Sequence, residues 1–444
     1  MPIRKMNKKV YIQIYGCQMS ERDGATFRAM AEGCGYVTTT EREDADLVVV
    51  TTCCVRESAE NRIMGNIGHL SRWKRQKPGR ILAVAGCLVQ QEGALERLRR
   101  RAPHVDIWLG AFEQERFTDL LREGKPGAAV AAAPPAGPPV EPAPLAERGK
   151  LSANVNIIYG CDNHCAYCVV PLVRGPERSR PPRDVLEETR RLADSGVREV
   201  VLLGQNVNSY GKAEGWREDF AWLLREVART PGLWRVRFTT SHPRDMTDAL
   251  IAAAAEEPAV CPHFHLPLQA GSDRILRAMN RGYTAAYYLE QARAIRRALP
   301  EARISTDIIV GFPGETEEDF AATMDLTREI CFSQAFTFMY SRRSGTAAAA
   351  LPGQVPREVK RERLRRLMAL QAEMSLAWRR SLVGSRQEVL VTGPSKSDAA
   401  LLSGQTAGRE ITVFPGGPAD VGTLAPVLIK EVNSWTMFGE ITRN

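Results

Sequence analysis

The sequence predicts an α/β protein of three domains: an N-terminal Rossmann-like parallel α/β domain, a central partial TIM-type (β/α)6 barrel, and a small C-terminal all-β barrel. The chain has 444 residues, which is too many for one ordinary domain. Apolar runs of strand length alternate with helical patterns in two series, and a Pro- and Ala-rich stretch separates the series.

The first segment, residues 8–125, alternates strand and helix. The patterns predict strands over 10–15, 46–51 and 80–85 and helices over 21–32, 57–74 and 92–101. Continuous apolar strands between helices indicate a parallel sheet that is covered on both faces. Ligand sites gather at the carboxyl ends of such strands. Cys17, Cys53 and Cys87 each follow a strand end, so they can lie close together although they are far apart in sequence.

Residues 126–147 are rich in Pro and Ala and nearly uncharged, which predicts a semi-rigid linker over 126–150. The second segment, residues 151–380, again alternates strand and helix. Its predicted strands cover 154–159, 199–203, 235–240, 263–268, 304–310 and 335–340. Six such units fit a partial barrel, whose catalytic residues would lie at the C-terminal ends of the strands.

A long basic helix is predicted over 356–382. Its first turns carry Lys360, Arg361, Arg363, Arg365 and Arg366. This face could meet phosphate, although a solvated charged face is the commoner explanation. The tail, residues 381–444, predicts a small β-barrel, because apolar runs at 388–391, 410–414 and 426–429 are separated by Gly-rich turns. Barrels of this size often bind RNA.

The composition narrows the class of protein. The net charge of +8 suits a nucleic-acid partner but is weak evidence alone. No apolar run reaches the roughly 18 residues of a membrane helix, and the N-terminus has no signal-peptide pattern, so we expect a cytoplasmic protein. Ten cysteines in a reducing compartment indicate metal ligation or catalysis where they cluster. Cys34, Cys261 and Cys331 stand alone and are expected to be buried as small apolar residues.

The sharpest signal is a C-x3-C-x2-C arrangement directly after a predicted strand, formed by Cys161, Cys165 and Cys168. Thiolates are the usual ligands of iron–sulfur clusters. Three thiolates on a [4Fe-4S] cluster leave one iron open, and an open position lets a metal site bind substrate. The competing interpretation is a structural zinc site that includes His164, but His164 is adjacent to Cys165 and would be an awkward ligand for the same ion.

Polar and glycine residues follow other strands of the predicted barrel. Gln205 and Asn206 come after the second strand, and Gly311 comes after the fifth. Glycine there would let the backbone approach a nucleoside closely. These patterns are ordinary in isolation, and their value is their position at strand ends of one barrel.

At this point the chain resembles the radical S-adenosylmethionine (SAM) methylthiotransferases along nearly its whole length. The resemblance lies in YGCQMS, TTCCVRE and AGC in the first segment, in YGCDNHCAYCVVPLVRGPERSR at the cysteine cluster, and in LLGQNVNSYG, VRFTTSHPRD, HLPLQAGSDRIL and DIIVGFPGET beyond it. The tail resembles the family's RNA-binding TRAM domain. LLGQNVN together with RFTTSHP is similar to the MiaB type, which acts on isopentenylated adenosine beside the tRNA anticodon.

The resemblance implies two [4Fe-4S] clusters. Cys161, Cys165 and Cys168 would hold the cluster that binds SAM, and Cys17, Cys53 and Cys87 would hold an auxiliary cluster. Tyr167, Gln205, Asn206, Ile308 and Gly311 are the residues expected to contact SAM. Cys54 stands where the family pattern has serine, which leaves it as a second candidate ligand beside Cys53, and Tyr159 stands where glutamate is expected.

The resemblance also implies a reaction and its partners. One SAM would methylate a sulfur on the auxiliary cluster, and a second would give the radical that removes hydrogen from C2 of the adenine at position 37. That C–H bond is not acidic enough for general-base chemistry. The expected partners are the tRNA anticodon stem-loop, SAM and a reductant such as flavodoxin or ferredoxin, with a monomeric chain and no membrane.

Two other functions stay open from the sequence. One is a related methylthiotransferase that acts on threonylcarbamoyladenosine in tRNA or on an aspartate of a ribosomal protein. The other is a non-catalytic protein that binds RNA and holds zinc.

Overall fold

The structure of the protein is a computed structural model that describes residues 8–16, 18–53, 57–91, 93–123, 128–130 and 149–442, without the side chains of 57–61 and 128–130. Cys17, Cys54 and most of the predicted linker therefore lie outside the described residues.

The first domain is a parallel sheet with helices on both faces. Its strands are β1 (Lys9–Ile14), β2 (Val37–Thr38), β3 (Leu47–Thr52), β4 (Ile81–Gly86), β5 (Ile107–Leu109) and β6 (Ala128–Val130), in the order β2-β1-β3-β4-β5-β6. Its helices are α1 (Gln18–Gly33), α2 (Glu57–Arg75), α3 (Cys87–Gln90), α4 (Ala94–Arg101) and α5 (Phe117–Glu123). Since β6 pairs with β5, the sheet extends into the segment predicted as linker.

The alternation of side chains explains why this sheet is covered twice. Val48 and Val50 of β3 pack against α2, whereas Val49 packs on the opposite face against Phe27 of α1 and Phe117 of α5. Successive strand residues point to opposite faces, so an all-apolar strand needs helices on both. The predicted doubly covered parallel sheet is confirmed.

The second domain is an open barrel of six parallel strands. The barrel strands are β7 (Ser152–Asn156), β10 (Glu199–Leu203), β11 (Arg235–Phe238), β12 (His263–His265), β13 (Arg303–Val310) and β14 (Gln334–Met339), and a short hairpin is formed by β8 (Ile158–Tyr159) and β9 (Arg178–Ser179). The order is β7-β10-β11 and β12-β13-β14, joined by a bridge between Val236 and Val260. The predicted (β/α)6 architecture is confirmed.

Helices cover the outside of this barrel. They are α6 (Val170–Arg174), α7 (Pro182–Asp194), α8 (Phe220–Ala228), α9 (Asp248–Glu256), α10 (Asp273–Ala278), α11 (Ala285–Ala298), α12 (Glu317–Ile330), α13 (Ala347–Ala350) and α14 (Arg357–Ser381). Val200, Val236 and Phe264 belong to the core under this helix layer. The alternate strand residues are largely polar, including Arg237, which contacts Glu199. The barrel interior is therefore suited to polar ligands.

The basic helix α14 braces the loop that follows β13. Arg363 forms a buried ion pair with Glu315 (2.6 Å), and Arg366 reaches Glu317 (2.5 Å). Lys360 donates to the carbonyl of Tyr340. Three of the basic side chains predicted as a phosphate-facing or solvated face are thus used in packing the helix onto the barrel.

The tail forms a closed five-stranded barrel, as predicted. Its strands are β15 (Arg386–Pro394), β16 (Leu402–Thr406), β17 (Ile411–Phe414), β18 (Leu424–Val432) and β19 (Thr436–Ile441), in the order β15-β16-β17-β19-β18. Within the described part of the chain, no helix is long and apolar enough to cross a membrane.

Candidate active site

The three cysteines of the C-x3-C-x2-C arrangement lie in the loop between β8 and α6. The hairpin that precedes the loop closes tightly because Gly160 has a positive φ of 72°, and a Cβ there would lie 1.9 Å from the carbonyl oxygen of Pro176. Only glycine fits this position. The backbone therefore fixes where the loop begins, directly before Cys161.

Each of the three sulfurs accepts a hydrogen bond. Nδ2 of Asn163 donates to Cys161 (3.5 Å), the backbone N–H of Val170 donates to Cys168 (3.4 Å), and Nη1 of Arg281 donates to Cys165 (3.1 Å). Donors directed at sulfur stabilise thiolates and tune the clusters they hold. The hydrogen bonds of this loop thus favour the thiolate form of its three cysteines, which is the form that binds metal.

Burial opposes charge on these thiols. It raises the pKa of Cys161, and it raises the pKa of Cys168 to about 12, with the neighbouring Cys165 adding to that shift. Bound metal supplies the positive charge that removes this penalty, because a coordinating thiol is deprotonated outright. The chemistry of the three donors therefore fits an iron–sulfur cluster.

Among the described residues, no group of three or more Cys, His, Asp or Glu side chains is placed to hold one metal ion. The ligands of a cluster bind different irons and do not converge on one point. The three thiols are nevertheless close enough for their charges to interact.

Buried polar atoms gather at the strand ends beside this loop. Oε1 of Gln205 and Oδ1 of Asn206, both after β10, have no hydrogen-bond partner among the residues described. Nδ2 of Asn206 donates to Asp245 (2.7 Å), which orients the amide. Such atoms are costly unless a ligand satisfies them, so this end of the barrel fits a polar cofactor such as SAM.

The other residues predicted to contact SAM occupy different environments. Tyr167 packs against the cluster that contains Met279 and Phe312. Ile308 is fully buried between β13 and the helices α12 and α14, so its side chain does not line the barrel interior. The backbone of Ile308 nevertheless pairs with that of Gln269 at a strand end, and contact between Ile308 and SAM stays a prediction.

Gly311 must be glycine because of its neighbours within the chain. Its φ is 72°, and a Cβ there would lie 2.4 Å from Cγ of Lys360. The close neighbour within the chain is therefore the helix α14, and contact between the Gly311 backbone and SAM stays a prediction. The N–H of Gly311 donates to Glu315 (2.9 Å), which belongs to the loop that α14 braces.

Three polar residues at strand ends were missed by the sequence reasoning. Asn208, Ser241 and Gln269 each carry buried polar atoms without a partner in the described part of the chain. Gln269 and Thr240 also have positive φ values of 69° and 72°, which is uncommon outside glycine and concentrates at functional sites. A polar residue directly after a barrel strand is the signal that could have found them.

The second group of thiols sits at the carboxyl edge of the first sheet. Cys53 follows β3 and Cys87 follows β4, and both are buried. A Cβ added at Gly16 would lie 2.4 Å from Cβ of Cys53, and one added at Gly86 would lie 2.6 Å from the carbonyl of Thr52. The ends of β1, β3 and β4 therefore meet. Cys17 follows Gly16 but lies outside the described residues, so its convergence with the other two stays a prediction.

The two groups of thiols are neighbours. Cys87 packs with Val169 and Val173 in one small apolar cluster, and Val169 directly follows Cys168. Nε of Arg174 on α6 donates to Sγ of Cys87 (3.1 Å), and its Nη2 pairs with Asp23 of α1 (2.9 Å). The helix after the first cysteine loop thus contacts the second thiol group directly.

Comparison with protein families assigns the three parts of the chain. A model of the radical SAM superfamily matches residues 155–327, a model of the TRAM domain matches 380–442, and a model described as uncharacterized protein family UPF0004 matches 9–110. Among solved structures, the radical S-adenosylmethionine methyltransferase TsrM from Kitasatospora setae aligns with a TM-score of 0.54 at 14% identity, covering 78% of this chain and 77% of that one. At this identity the likeness shows the fold alone.

Two relatives align with nearly the whole chain. The tRNA-2-methylthio-N(6)-dimethylallyladenosine synthase of Desulfitobacterium hafniense is 54% identical over 441 residues, covering 99% of each chain. The enzyme of the same name from Moorella thermoacetica is 46% identical, covering 98% of this chain and 99% of that one. The chain therefore belongs to the tRNA-2-methylthio-N(6)-dimethylallyladenosine synthases, a family of radical SAM enzymes.

Proposed function

We propose that this protein adds a methylthio group to C2 of N6-isopentenyladenosine at position 37 of tRNA, using two [4Fe-4S] clusters and two molecules of SAM. Its relatives are named for this product. The observation that carries the proposal is that the two sets of cysteines are neighbours: Cys87 of one set packs against Val169, which directly follows Cys168 of the other. One nucleobase must reach both centres, and this contact supports that arrangement.

The residues divide the work between two centres. Cys161, Cys165 and Cys168 hold the cluster that binds SAM, and Cys17, Cys53 and Cys87 hold the auxiliary cluster. When bound, the first cluster and SAM supply the radical that activates the unreactive C2–H bond. The amides of Gln205 and Asn206 provide unsatisfied oxygen acceptors that orient SAM in the barrel.

The tail binds the RNA, and an external reductant supplies the electrons. The tail, residues 381–444, holds the anticodon stem-loop as a TRAM domain. It follows a methylthiotransferase domain (8–125) whose sheet extends to β6 within the predicted linker (126–150), and a radical SAM core (151–380). The chain works as a monomer in the cytoplasm, with flavodoxin or ferredoxin as reductant.

Mass spectrometry of tRNA nucleosides tests the proposal. The anaerobically reconstituted enzyme receives SAM, a reductant and tRNA with or without the isopentenyl group. We expect the 2-methylthio nucleoside only from isopentenylated tRNA. Cys165→Ala abolishes the product. The matched control is Cys331→Ala, at a thiol outside both groups that is exposed and not buried as predicted, and it keeps the product. Product only from threonylcarbamoylated tRNA, or tight zinc without iron, would replace this function with one of its rivals.

A further inference from the structure

A cavity of about 430 Å³ lies where the three domains meet. Its walls are the first residues of β7 and β10, one face of α1, and the tail strands β15 and β16. The thiols of the C-x3-C-x2-C loop and the unsatisfied amides lie beyond the opposite, carboxyl ends of the barrel strands, and Cys53 and Cys87 lie at the carboxyl edge of the first sheet. Most of the cavity lining therefore lies away from the thiols, although one lining residue, Gln18, directly follows Cys17.

The wall of the cavity is rich in positive charge. Five cations, Arg22, Arg28, Lys150, Arg237 and Arg409, face two carboxylates, Glu21 and Glu199. Two of the cations are neutralised by carboxylates: Arg22 by Glu188 (2.6 Å) and Arg237 by Glu199 (2.7 Å). Arg28 and Arg409 have no such ion pair within the described residues.

Two arginines in this wall have no acceptor. Within the described residues, neither Arg28 nor Arg409 makes a side-chain hydrogen bond or ion pair, and Nε of Arg28 is shielded from solvent. Burial and the nearby charge of Arg237 lower the pKa of Arg409. Both side chains are half-buried, and a shielded guanidinium nitrogen without an acceptor, such as Nε of Arg28, is unfavourable; an anion in the cavity would satisfy both groups.

The backbone gives Arg409 a second distinction. It lies in the turn between β16 and β17 with a φ of 73°, a left-handed conformation that favours glycine or asparagine in turns. The left-handed conformation is strained for an arginine, and the residue lines the cavity from this turn. Arg28 faces the same cavity from α1, on another domain.

We propose that this cavity binds a phosphate group between Arg28 of α1 and Arg409 of the tail. Guanidinium groups match the geometry of phosphate and pair with it in a bidentate way. The phosphate comes from the RNA backbone, a source that rests on the proposed function, or from free inorganic phosphate. Bound there, it links the first domain to the tail and fixes both against the barrel.

Salt dependence of RNA binding tests the RNA source in the reconstituted full chain. The variants are Arg409→Asn, which suits the left-handed backbone, and Arg28→Gln; the control is Arg190→Gln, an exposed arginine on α7. Affinity for an anticodon stem-loop RNA is measured at several salt concentrations. We expect both variants to bind the RNA about tenfold more weakly than the wild type at low salt. The slope of log affinity against log salt concentration should be shallower by about 0.7 to 0.9 for one lost phosphate contact. Arg190→Gln keeps both values.

Thermal unfolding with inorganic phosphate tests the other source. If the RNA slope is unchanged but phosphate raises the melting temperature of the wild type and not of Arg409→Asn, the ligand is free phosphate. If the slope of RNA binding is unchanged and phosphate does not raise the melting temperature, the proposal is overturned. If Arg409→Asn fails to fold, the same two measurements are made on Arg28→Gln. Methylthio transfer by the wild type is assayed in the same preparation, so a failed function and a failed phosphate site give separate results.

Discussion

A single side chain, Arg281, brings positive charge to the cysteine loop. It is buried, donates to Sγ of Cys165 (3.1 Å) and also contacts Tyr283 and the carbonyl of Pro267. In the described part of the chain no carboxylate forms an ion pair with it. Arg174, the corresponding donor to Cys87, is paired with Asp23. Arg281 therefore brings an unbalanced positive charge to its cluster, and Arg174 does not.

Replacing Arg281 should lower the reduction potential of the cluster that binds SAM. Positive charge and hydrogen bonds to sulfur favour the reduced state. A charge-assisted hydrogen bond of about 1.5 kcal/mol corresponds to roughly 60 mV for one electron. We expect Arg281→Gln to shift the midpoint by about that amount, and Arg281→Lys to shift it less, in redox titrations followed by electron paramagnetic resonance. Equal midpoints in Arg281→Gln and the wild type, with iron content intact, would contradict this role.

Glu177 should make the stability of the protein depend on pH. Burial raises the pKa of its carboxyl group from 4.5 to about 7, and the nearby Asp162 and Asp245 add to the shift, while Ser209 donates to the carboxylate (2.6 Å). The folded chain then binds more protons than the unfolded chain between these values, so the free energy of unfolding falls as the pH rises through this window. Denaturant titrations of Glu177→Gln should show a smaller fall. An identical profile in the variant would show that another group titrates.

At the scale of the element, glycines at strand ends set the position of the second thiol group. Gly86 ends β4 with a φ of 113° directly before Cys87, and a Cβ there would meet the carbonyl of Thr52. Gly86→Ala should destabilise the protein by about 2 kcal/mol and reduce the iron content by about four atoms per chain. Iron analysis and thermal unfolding measure both effects. The control is Gly65→Ala on α2, where a Cβ meets nothing within 4 Å; comparable iron loss in that variant would refute the explanation.

The sequence predicted the elements that carry a strong periodic pattern. Apolar runs predicted β3, β4 and β10 to within a residue or two. It missed β16, whose LSGQT has little apolar character and whose register is set by the neighbouring β15 and β17. It also began the helix α4 too early, at residue 92. Gly93 adopts a left-handed conformation (φ 62°), and the helix begins at Ala94.

The site was predictable only in part, for a physical reason. The C-x3-C-x2-C spacing is local, so the sequence alone identifies it. The donor to Cys165 comes from Arg281, which is 116 positions away, and only the closed barrel brings the two together. The unsatisfied amides of Asn208 and Gln269 likewise depend on which strand ends meet.

At the scale of the whole molecule, buried arginines attach the tail to the barrel. Arg237 of β11 pairs with Glu199 and donates to the carbonyls of Thr406 and Ala407 in the tail (both 2.7 Å). Arg235 donates to the carbonyl of Gln405 (2.6 Å). The tail is thus held by directed hydrogen bonds to main-chain oxygens, which fix its orientation on the barrel.

Removing Arg237 should destabilise this junction. Arg237→Met leaves the carboxylate of Glu199 buried without its partner, a change that costs about 3 kcal/mol or more. Calorimetry and limited proteolysis of the tail should both detect the loss. The double variant with Glu199→Gln should recover part of the stability, whereas Arg225→Met, at an exposed ion pair with Glu256, should change it by less than about 1 kcal/mol. A double variant no more stable than Arg237→Met would contradict the electrostatic cause.

The most direct test of the account is magnetic coupling between the two clusters in the fully reduced protein. One variant replaces Cys161, Cys165 and Cys168 with alanine, and the other replaces Cys17, Cys53 and Cys87. Each should retain about four irons and give the spectrum of one isolated cluster. Cys87 of one set of cysteines packs against Val169, which adjoins the other set. The wild-type spectrum should therefore show a spin–spin interaction that neither variant shows. A wild-type spectrum equal to the sum of the two would contradict the adjacent centres on which the proposed reaction depends.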